Sequence, residues 1–264
     1  MMRKLKIASL FFALAFVFTA CGFEKTEKIM NENITTFKED VLSGKKLKIK
    51  LLGDSITHGV GGSGFEQNGE SIVAGFSRNP DGYCWAKLFK DYLEENYNCE
   101  VLNNACTGTD VGFTINNFNA LVDADDDYVI CAIGTNNRHQ YKVDRVKKSR
   151  EEFSEVLYGE MVRLADKFKA AGKRVIFIAN IPASPENECD GRDYYRILNM
   201  GDINSLYKRL QTEKGISLIS LYDLFNEYLQ NNGMEINSLL CDGLHPNDEG
   251  YKVIFDLLKN ALGI

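Results

Sequence analysis

After residue 46, short apolar segments alternate with longer segments of helical pattern, and this alternation most constrains what the chain can fold into. The segment Tyr128–Ile133 has six apolar or aromatic residues in succession, which is typical of a strand buried on both faces of a parallel sheet. Strands separated by helices favour crossover connections that return each strand parallel to the previous one. The alternation therefore predicts an α/β protein with helices on both faces of a single sheet.

The predicted architecture is a three-layer α/β/α sandwich around a five-stranded, mostly parallel, flavodoxin-like sheet. The predicted strands are Leu47–Leu52, Glu100–Asn103, Tyr128–Ile133, Val175–Asn180 and Ser217–Ser220. The predicted helices are Tyr83–Tyr97, Lys148–Ala171, Asn199–Lys214, Leu221–Asn231 and Asn247–Leu262.

A Gly53-Asp54-Ser55 turn ends the first predicted strand and places one hydroxyl at its carboxyl end. Ligands bind at that end of the strands in open α/β sheets. A serine there is a candidate nucleophile if a histidine and a carboxylate can reach it. His245 is the matching histidine, because Asp242 lies three residues before it in the sequence Cys-Asp-Gly-Leu-His-Pro. Gly-Asp-Ser and Asp-Gly are also common turn compositions, so each motif taken alone is open to a purely structural interpretation.

Two further loops follow predicted strands and carry groups that could bind a developing oxyanion. The first is the small-residue loop Asn103–Thr109, where Gly108 either serves a tight turn or offers a backbone N–H that a ligand can approach closely. The second is Gly-Thr-Asn-Asn at residues 134–137, where Asn136 either caps a helix or turn or aims an amide donor at the oxyanion.

Taken in order, the four motifs resemble the four sequence blocks of the SGNH (GDSL-type) hydrolase family, over about residues 46–262. The blocks are Gly53-Asp54-Ser55-Ile56, Gly108, Gly134-Thr135-Asn136-Asn137 and Asp242-Gly243-Leu244-His245-Pro246. The resemblance implies a Ser–His–Asp hydrolase that acts on esters.

By this resemblance Ser55 is the nucleophile, His245 is the general base and Asp242 orients His245. The oxyanion hole then consists of the N–H of Ser55, the N–H of Gly108 and the side chain of Asn136. Elementary chemistry agrees, because a serine hydroxyl needs a base in contact and a carboxylate fixes the tautomer of that base. Asn137 stands where many family members carry Asp, but this position is not a triad member. The sequence contains no Gly-x-Ser-x-Gly elbow, which argues against the α/β-hydrolase fold.

The start of the chain predicts export. Residues 1–20 have three early basic residues and then 14 uncharged ones, too few to span a membrane, and are predicted to be a secretory signal peptide. The sequence Phe-Thr-Ala-Cys resembles a bacterial lipobox, which implies a lipidated Cys21 as mature N-terminus and an exported protein anchored to the membrane of the cell envelope. Phe18 departs from the usual Leu, and a plain signal peptide is the alternative. Residues 21–46 are predicted to be the lipidated N-terminus and tether, with a short helix around Ile34–Leu42, and residues 47–264 the hydrolase domain.

The formal charge is −6, and removal of the basic residues of the signal peptide would make it −9. An acidic surface argues against nucleic acid as a partner. Asp123–Asp127 starts like a calcium loop but lacks the glycine and glutamate that such a loop requires. Because the chain has three histidines and no Cys-x-x-Cys pair, no metal or cofactor is expected, and His58 and His139 have no carboxylate in a matching loop. A monomer is predicted. Six cysteines follow Cys21, and their pairing is left open.

Three classes of function fit these features. The favoured one is a serine esterase that removes a small acyl group, acetyl in the first place, from a carbohydrate. An O-acyltransferase acting on envelope polysaccharide would use the same site, and a lysophospholipase or thioesterase would be a further hydrolase. An inactive binding module is disfavoured by the intact motifs. Long polar loops at residues 59–82 and 181–197 favour an open, polar cleft. The sole tryptophan, Trp85, is expected in the core, with sugar stacking as the alternative.

Overall fold

The structure is a computed structural model that describes residues 31–141, 146–188 and 194–264. The predicted signal peptide and Cys21 lie outside the described residues, as do positions 142–145 and 189–193.

The main sheet has five strands, all parallel. In chain order they are β1 (Leu47–Gly53), β4 (Cys99–Asn103), β5 (Tyr128–Ala132), β7 (Arg174–Ala179) and β9 (Ser217–Ser220). Their order across the sheet is β4-β1-β5-β7-β9, with Leu51 opposite Asn103 on one side and Ile130 on the other. Each strand lies within two residues of its predicted bounds, so the predicted α/β fold and flavodoxin-like order are confirmed.

Helices cover both faces of the sheet. One face carries α1 (Glu32–Leu42), α3 (Trp85–Asn96), α8 (Leu221–Asn232) and α9 (Asp248–Leu262). The other carries α4 (Val111–Asn116), α5 (Phe118–Leu121), α6 (Arg150–Ala170) and α7 (Met200–Lys214). Neighbouring residues of one strand point to opposite faces, so β5 contributes Tyr128 and Ile130 to the first core and Val129 and Cys131 to the second. This double burial explains the uninterrupted apolar run in the sequence.

Helix α1 corresponds to the short helix predicted within the tether, and it packs against the folded core. Phe37 and Val41 are fully buried on its inner face, and the Phe37 ring packs edge-on against Tyr128 at a centroid distance of 5.0 Å. Asn33 donates its backbone N–H to Ser217 Oγ and its amide to the Val175 carbonyl. The domain therefore extends to residue 31 and not only to residue 47, because two apolar side chains of α1 cover the sheet.

Several short elements were not predicted. The 59–82 segment contains the antiparallel hairpin of β2 (Ser71–Val73) and β3 (Phe76–Ser77). A second antiparallel pair joins β6 (His139–Tyr141) to β8 (Tyr194–Arg196). Both lie beyond the carboxyl ends of main-sheet strands. The one-turn helix α2 (Ser55–His58) and 3₁₀ turns at Thr135–Arg138 and Ile236–Leu239 complete the fold.

Candidate active site

Ser55 is the first residue of α2, directly after β1. The Asp54 carboxylate caps this helix by accepting the Ile56 N–H at 3.0 Å. Gly53 is required in the turn, because a Cβ there would lie 2.2 Å from the Thr57 hydroxyl oxygen and 2.6 Å from the Ala132 carbonyl oxygen. The tight packing of α2 on the strand end thus holds the Ser55 side chain at the carboxyl edge of the sheet.

Ser55, His245 and Asp242 form a continuous hydrogen-bonded chain. Ser55 Oγ lies 2.9 Å from His245 Nε2, and His245 Nδ1 lies 2.7 Å from Asp242 Oδ2. The other oxygen of Asp242 accepts the backbone N–H groups of His245 at 2.7 Å and Leu244 at 3.0 Å. A carboxylate at Nδ1 favours the tautomer with hydrogen on that nitrogen, which leaves Nε2 to accept the Ser55 hydroxyl. The structure brings the three predicted residues together, while their catalytic roles stay a prediction.

The loop that carries Asp242 and His245 is stabilised from both sides. Gly243 adopts φ +81° at the turn between them, a conformation that favours glycine. An isolated bridge pairs Leu240 with Pro246, and α9 starts two residues later with Asn247 as its cap. His245 is therefore fixed between a β-bridge and a helix start.

The pKa of Asp242 lies below its ordinary value. Burial alone would raise it, but hydrogen bonds from the His245 backbone and ring, and from the Leu244 N–H, outweigh that effect. Asp242 therefore remains an anion at neutral pH, as an orienting partner of a histidine must.

The predicted oxyanion donors lie on adjacent loops. Gly108 has φ +76°, a backbone conformation that favours glycine. A Cβ at this position would meet no atom within 4 Å, so the turn conformation and not lack of space explains the glycine. Asn136 donates from Nδ2 to the Thr109 carbonyl at 2.7 Å. This bond uses one amide hydrogen and fixes the amide plane, and the second hydrogen remains for a ligand. Gly108 and Asn136 line one cavity of about 370 Å³.

A buried polar network beneath the site was not predicted. Asn180, at the end of β7, donates from its amide to Asp54 Oδ2 at 3.2 Å and lies 2.8 Å from Thr135 Oγ1. Asp54 is completely buried, and this burial raises its pKa, against the opposing effect of hydrogen bonds from Thr135 and Ile56. The network joins the ends of three neighbouring strands. Only the polar residues after each predicted strand could have indicated it.

His58, at the end of α2, makes two contacts that the sequence analysis did not predict. Its Nδ1 lies 2.8 Å from Thr107 Oγ1, and its Nε2 lies 3.0 Å from the Ser77 carbonyl oxygen. A carbonyl can only accept, so Nε2 carries the hydrogen and Nδ1 accepts the Thr107 hydroxyl. Burial lowers the pKa of His58, although the bond to Ser77 opposes that effect. A neutral His58 therefore ties the loop before Gly108 to the β2–β3 hairpin.

Other predicted features have ordinary structural places. Trp85 is buried in the core, as expected, rather than at the substrate site. Within the Asp123–Asp127 turn, Asp123 binds the buried Lys50 ammonium at 2.6 Å, and Asp125 binds Lys48 at 2.5 Å. The five cysteines that the structure describes are free thiols, namely Cys84, Cys99, Cys106, Cys131 and Cys241. None of the helices in the described ranges is long and apolar enough to cross a membrane.

Solved structures with the same fold include several esterases. Over 82% of this chain and 95% of the other, the structure is similar to LAE5, an alpha/beta hydrolase enzyme from the metagenome of Lake Arreo, with 24% identity and a TM-score of 0.59. It is similar to Axe2, an acetylxylan esterase from Geobacillus stearothermophilus, over 84% of this chain and 96% of the other, with 20% identity and a TM-score of 0.61. A two-domain esterase active on acetylated mannans, CEX, matches over 88% of this chain and 52% of its own, with 18% identity and a TM-score of 0.59.

No curated protein sequence matches this chain. The sequence profile described as the GDSL-like lipase/acylhydrolase family matches residues 51–253, a stretch that contains all four predicted blocks. The chain therefore belongs to the GDSL-like lipase/acylhydrolase family, and it is a serine hydrolase of the SGNH type.

Proposed function

We propose that this protein hydrolyses acetyl esters of carbohydrates, with Ser55 as nucleophile, His245 as general base and Asp242 as its orienting partner. The observation that carries the proposal is the pair of hydrogen bonds in series, 2.9 Å from Ser55 to His245 and 2.7 Å from His245 to Asp242. These distances are those of a nucleophile in contact with its base and of a base in contact with its orienting group.

The reaction proceeds through an acyl-enzyme. Ser55 Oγ attacks the ester carbonyl carbon while His245 Nε2 accepts the hydroxyl proton, and the resulting imidazolium is stabilised by the Asp242 carboxylate. The tetrahedral intermediate collapses when the sugar alkoxide leaves with that proton from His245. Water, activated by the same nitrogen, then attacks the acetyl-Ser55 ester and releases acetate.

The developing oxyanion is bound by the backbone N–H groups of Ser55 and Gly108 and by the free amide hydrogen of Asn136. The bond from Asn136 to the Thr109 carbonyl holds its amide in place before the substrate arrives. Because these donors do not have to reorganise during the reaction, they stabilise the transition state more than the ground state.

Two observations favour a small acyl group on a polar alcohol. The cavity beside Gly108 and Asn136 is lined mainly by polar and charged side chains, which suits neither a fatty acyl chain nor an apolar alcohol. Esterases that share the fold are described as acting on acetylated xylooligosaccharides and acetylated mannans. A transferase would use the same acyl-enzyme with a sugar hydroxyl in place of water, so the two activities are separated by their product.

A chain-length series of aryl esters, with and without an oligosaccharide acceptor, tests the proposal. We expect acetate to be cleaved far better than esters of eight or more carbons, and acetate to be released from acetylated oligosaccharides. Ser55→Ala, the control, should abolish both hydrolysis and labelling by an organophosphonate. A preference for long chains would indicate a lipase or thioesterase, and formation of acetylated acceptor instead of free acetate would indicate a transferase.

A further inference from the structure

The cavity beside the predicted oxyanion donors has a second wall that the catalytic chemistry does not use. Its volume of about 370 Å³ lies within the range of about 300–1,000 Å³ that ligand pockets occupy. Gly108 and Asn136 line one side, and residues of α6, including Phe153 and Glu160, line the other. Ser55 and His245 are not among its lining residues. By its volume, the cavity can hold a part of the substrate larger than an acetyl group.

Asn137 presents an amide donor to this cavity. Its Oδ1 accepts the Val111 N–H at 3.0 Å, at the start of α4. Its Nδ2 has no hydrogen-bond partner among the described residues, although the residue is only 9% exposed and lines the cavity. Because Asn137 lines the open cavity, a ligand oxygen there can accept from this amide.

The identity of residue 137 decides whether the cavity meets a donor or an acceptor at this point. An aspartate would keep the acceptor for Val111 but would replace the cavity-facing N–H₂ by a carboxylate oxygen. Asn137 therefore gives the cavity a donor where an aspartate would give it an acceptor, and either residue can accept from Val111 at the start of α4.

The rest of the lining supplies acceptors, an aromatic side chain and Lys148. Asp110 uses Oδ1 to accept the Phe113 N–H at 2.7 Å, and the described residues give its second oxygen no partner. Burial, and then the charge of Asp110, raise the pKa of Glu160, while Arg163 opposes them. Phe153 is half-buried on the same side. Donor amide, carboxylate acceptors and an aromatic ring together suit a ring that carries several hydroxyl groups.

We propose that this cavity is a subsite for a sugar ring of the substrate's alcohol part. In it, Asn137 Nδ2 donates to one hydroxyl oxygen and the Asp110 carboxylate accepts from a neighbouring hydroxyl. The charged and polar lining, which includes Lys148 as well as the two carboxylates, disfavours alkyl chains. The subsite rests on the proposed function, because an acetyl ester leaves only the alcohol part to occupy such a volume.

The variant Asn137→Asp tests the subsite, because it retains the acceptor for Val111 and reverses the cavity-facing group. The readout is the kcat/KM for partly O-acetylated xylooligosaccharides divided by the kcat/KM for an aryl acetate. We expect this ratio to fall about tenfold, mainly through KM, because the hydroxyl placed to accept from Asn137 loses that donor and must reorient to donate instead. Asn226→Asp adds the same charge on the exposed face of α8 and should leave the ratio unchanged.

Each other outcome has a defined meaning. An unchanged ratio in Asn137→Asp would overturn the subsite, as would a change only in preference among aryl esters of different chain length. If Asn137→Asp does not fold, Glu160→Gln must alter the same ratio. If the wild type cleaves aryl acetate but no acetylated sugar, the proposed function fails. The subsite is then tested by calorimetry of unacetylated xylooligosaccharide binding. The subsite requires that Asn137→Asp bind this oligosaccharide more weakly than the wild type does.

Discussion

At the scale of single residues, the site is a set of donors and acceptors whose hydrogen-bond roles are fixed by their neighbours. Asp242 accepts three hydrogen bonds, two of them from backbone N–H groups in its own loop, and these keep it ionised. Asn136 is held by the Thr109 carbonyl. Preorganisation of this kind makes the effects of single substitutions predictable in direction and in rough size.

Asn136→Ala should lower kcat by about 10²–10³-fold, the usual cost of removing one oxyanion donor. Because the lost bond forms mainly in the transition state, KM should change little. Steady-state kinetics with an aryl acetate measures both constants, and thermal unfolding serves as the control for folding. A defect confined to KM would make Asn136 a substrate-binding residue instead.

Activity should fall in acid because His245 must be neutral to accept the Ser55 proton. The pKa of Asp242 is lowered below 3.8, so this carboxylate stays ionised in the range where imidazoles protonate and cannot cause the acid limb. Any stability that the lowered pKa provides is present above pH 3.8 and is lost only as the pH falls through the folded-state value. A kcat that stays flat to about pH 4 would contradict a histidine base.

Asp242→Asn should reduce kcat by several orders of magnitude, because the carboxylate that orients His245 is lost.

At the scale of elements, loops after different strands hold one another in position. His58, at the end of α2, bridges Thr107 in the loop before Gly108 and the Ser77 carbonyl in the β2–β3 hairpin. Beyond the hairpin, Arg78 donates to Asn104 Oδ1 at 2.8 Å and forms an ion pair with Glu70. The long segment 59–82 is therefore a folded cover over the oxyanion loop, with its own hairpin.

Thr107→Val removes the hydroxyl that donates a hydrogen bond to His58 and keeps the shape of the side chain. We expect kcat to fall several-fold because the Gly108 N–H is held less firmly, and the free energy of unfolding to fall by about 1 kcal/mol for the lost hydrogen bond. Kinetics and denaturant unfolding measure the two effects. Thr36→Val, which removes an exposed hydroxyl bond on α1, is the matched control and should leave kcat unchanged.

A loss of stability with an unchanged kcat would show that the His58 bridge is only structural. The direction of the pH effect is also fixed, because burial lowers the pKa of His58 below 6.5. The stability that depends on neutral His58 is complete above pH 6.5 and is lost as the pH falls through the folded-state value. Replacement of His58 should remove that part of the acid sensitivity of folding.

At the scale of the whole molecule, the start of the domain and the candidate site lie at opposite edges of the sheet. Asn33 contacts Val175, the second residue of β7, and Ser217, the first residue of β9. Ser55, in contrast, follows the carboxyl end of β1. If Cys21 is lipidated, as predicted, the anchor precedes α1 by about ten residues and joins the domain at the edge remote from the site.

Cys21→Ser should release the protein from the membrane fraction or leave the precursor unprocessed. The reason is that a thioether-linked lipid needs the cysteine sulfur, which serine cannot supply. Fractionation and mass spectrometry of the mature N-terminus check the expectation, and Cys241→Ser, at an exposed thiol of the folded domain, is the control that should remain anchored. An unmodified N-terminus at another residue would disprove lipidation and leave the hydrolase assignment intact.

Much of this protein could be predicted from local sequence, because local rules set its main features. The five main strands were located to within two residues, since apolar runs buried on both faces have no polar interruptions. The four motifs were located for a similar reason: parallel strands place their following loops at one edge. Helix α1 was assigned to the tether because its exposed face is charged, and only packing shows that Phe37 and Val41 belong to the core.

The sequence by itself determined the strand–helix alternation, the family and the residues available for chemistry. Tertiary structure alone decided which of those residues meet: the 2.9 Å contact between Ser55 and His245 joins positions 190 residues apart. It also decided that His58 bridges two loops and that the free amide of Asn137 borders a cavity. The physical reason is that residue type and local pattern fix what a side chain can do, whereas its partners depend on how distant segments pack. Function in this molecule resides in those distant contacts.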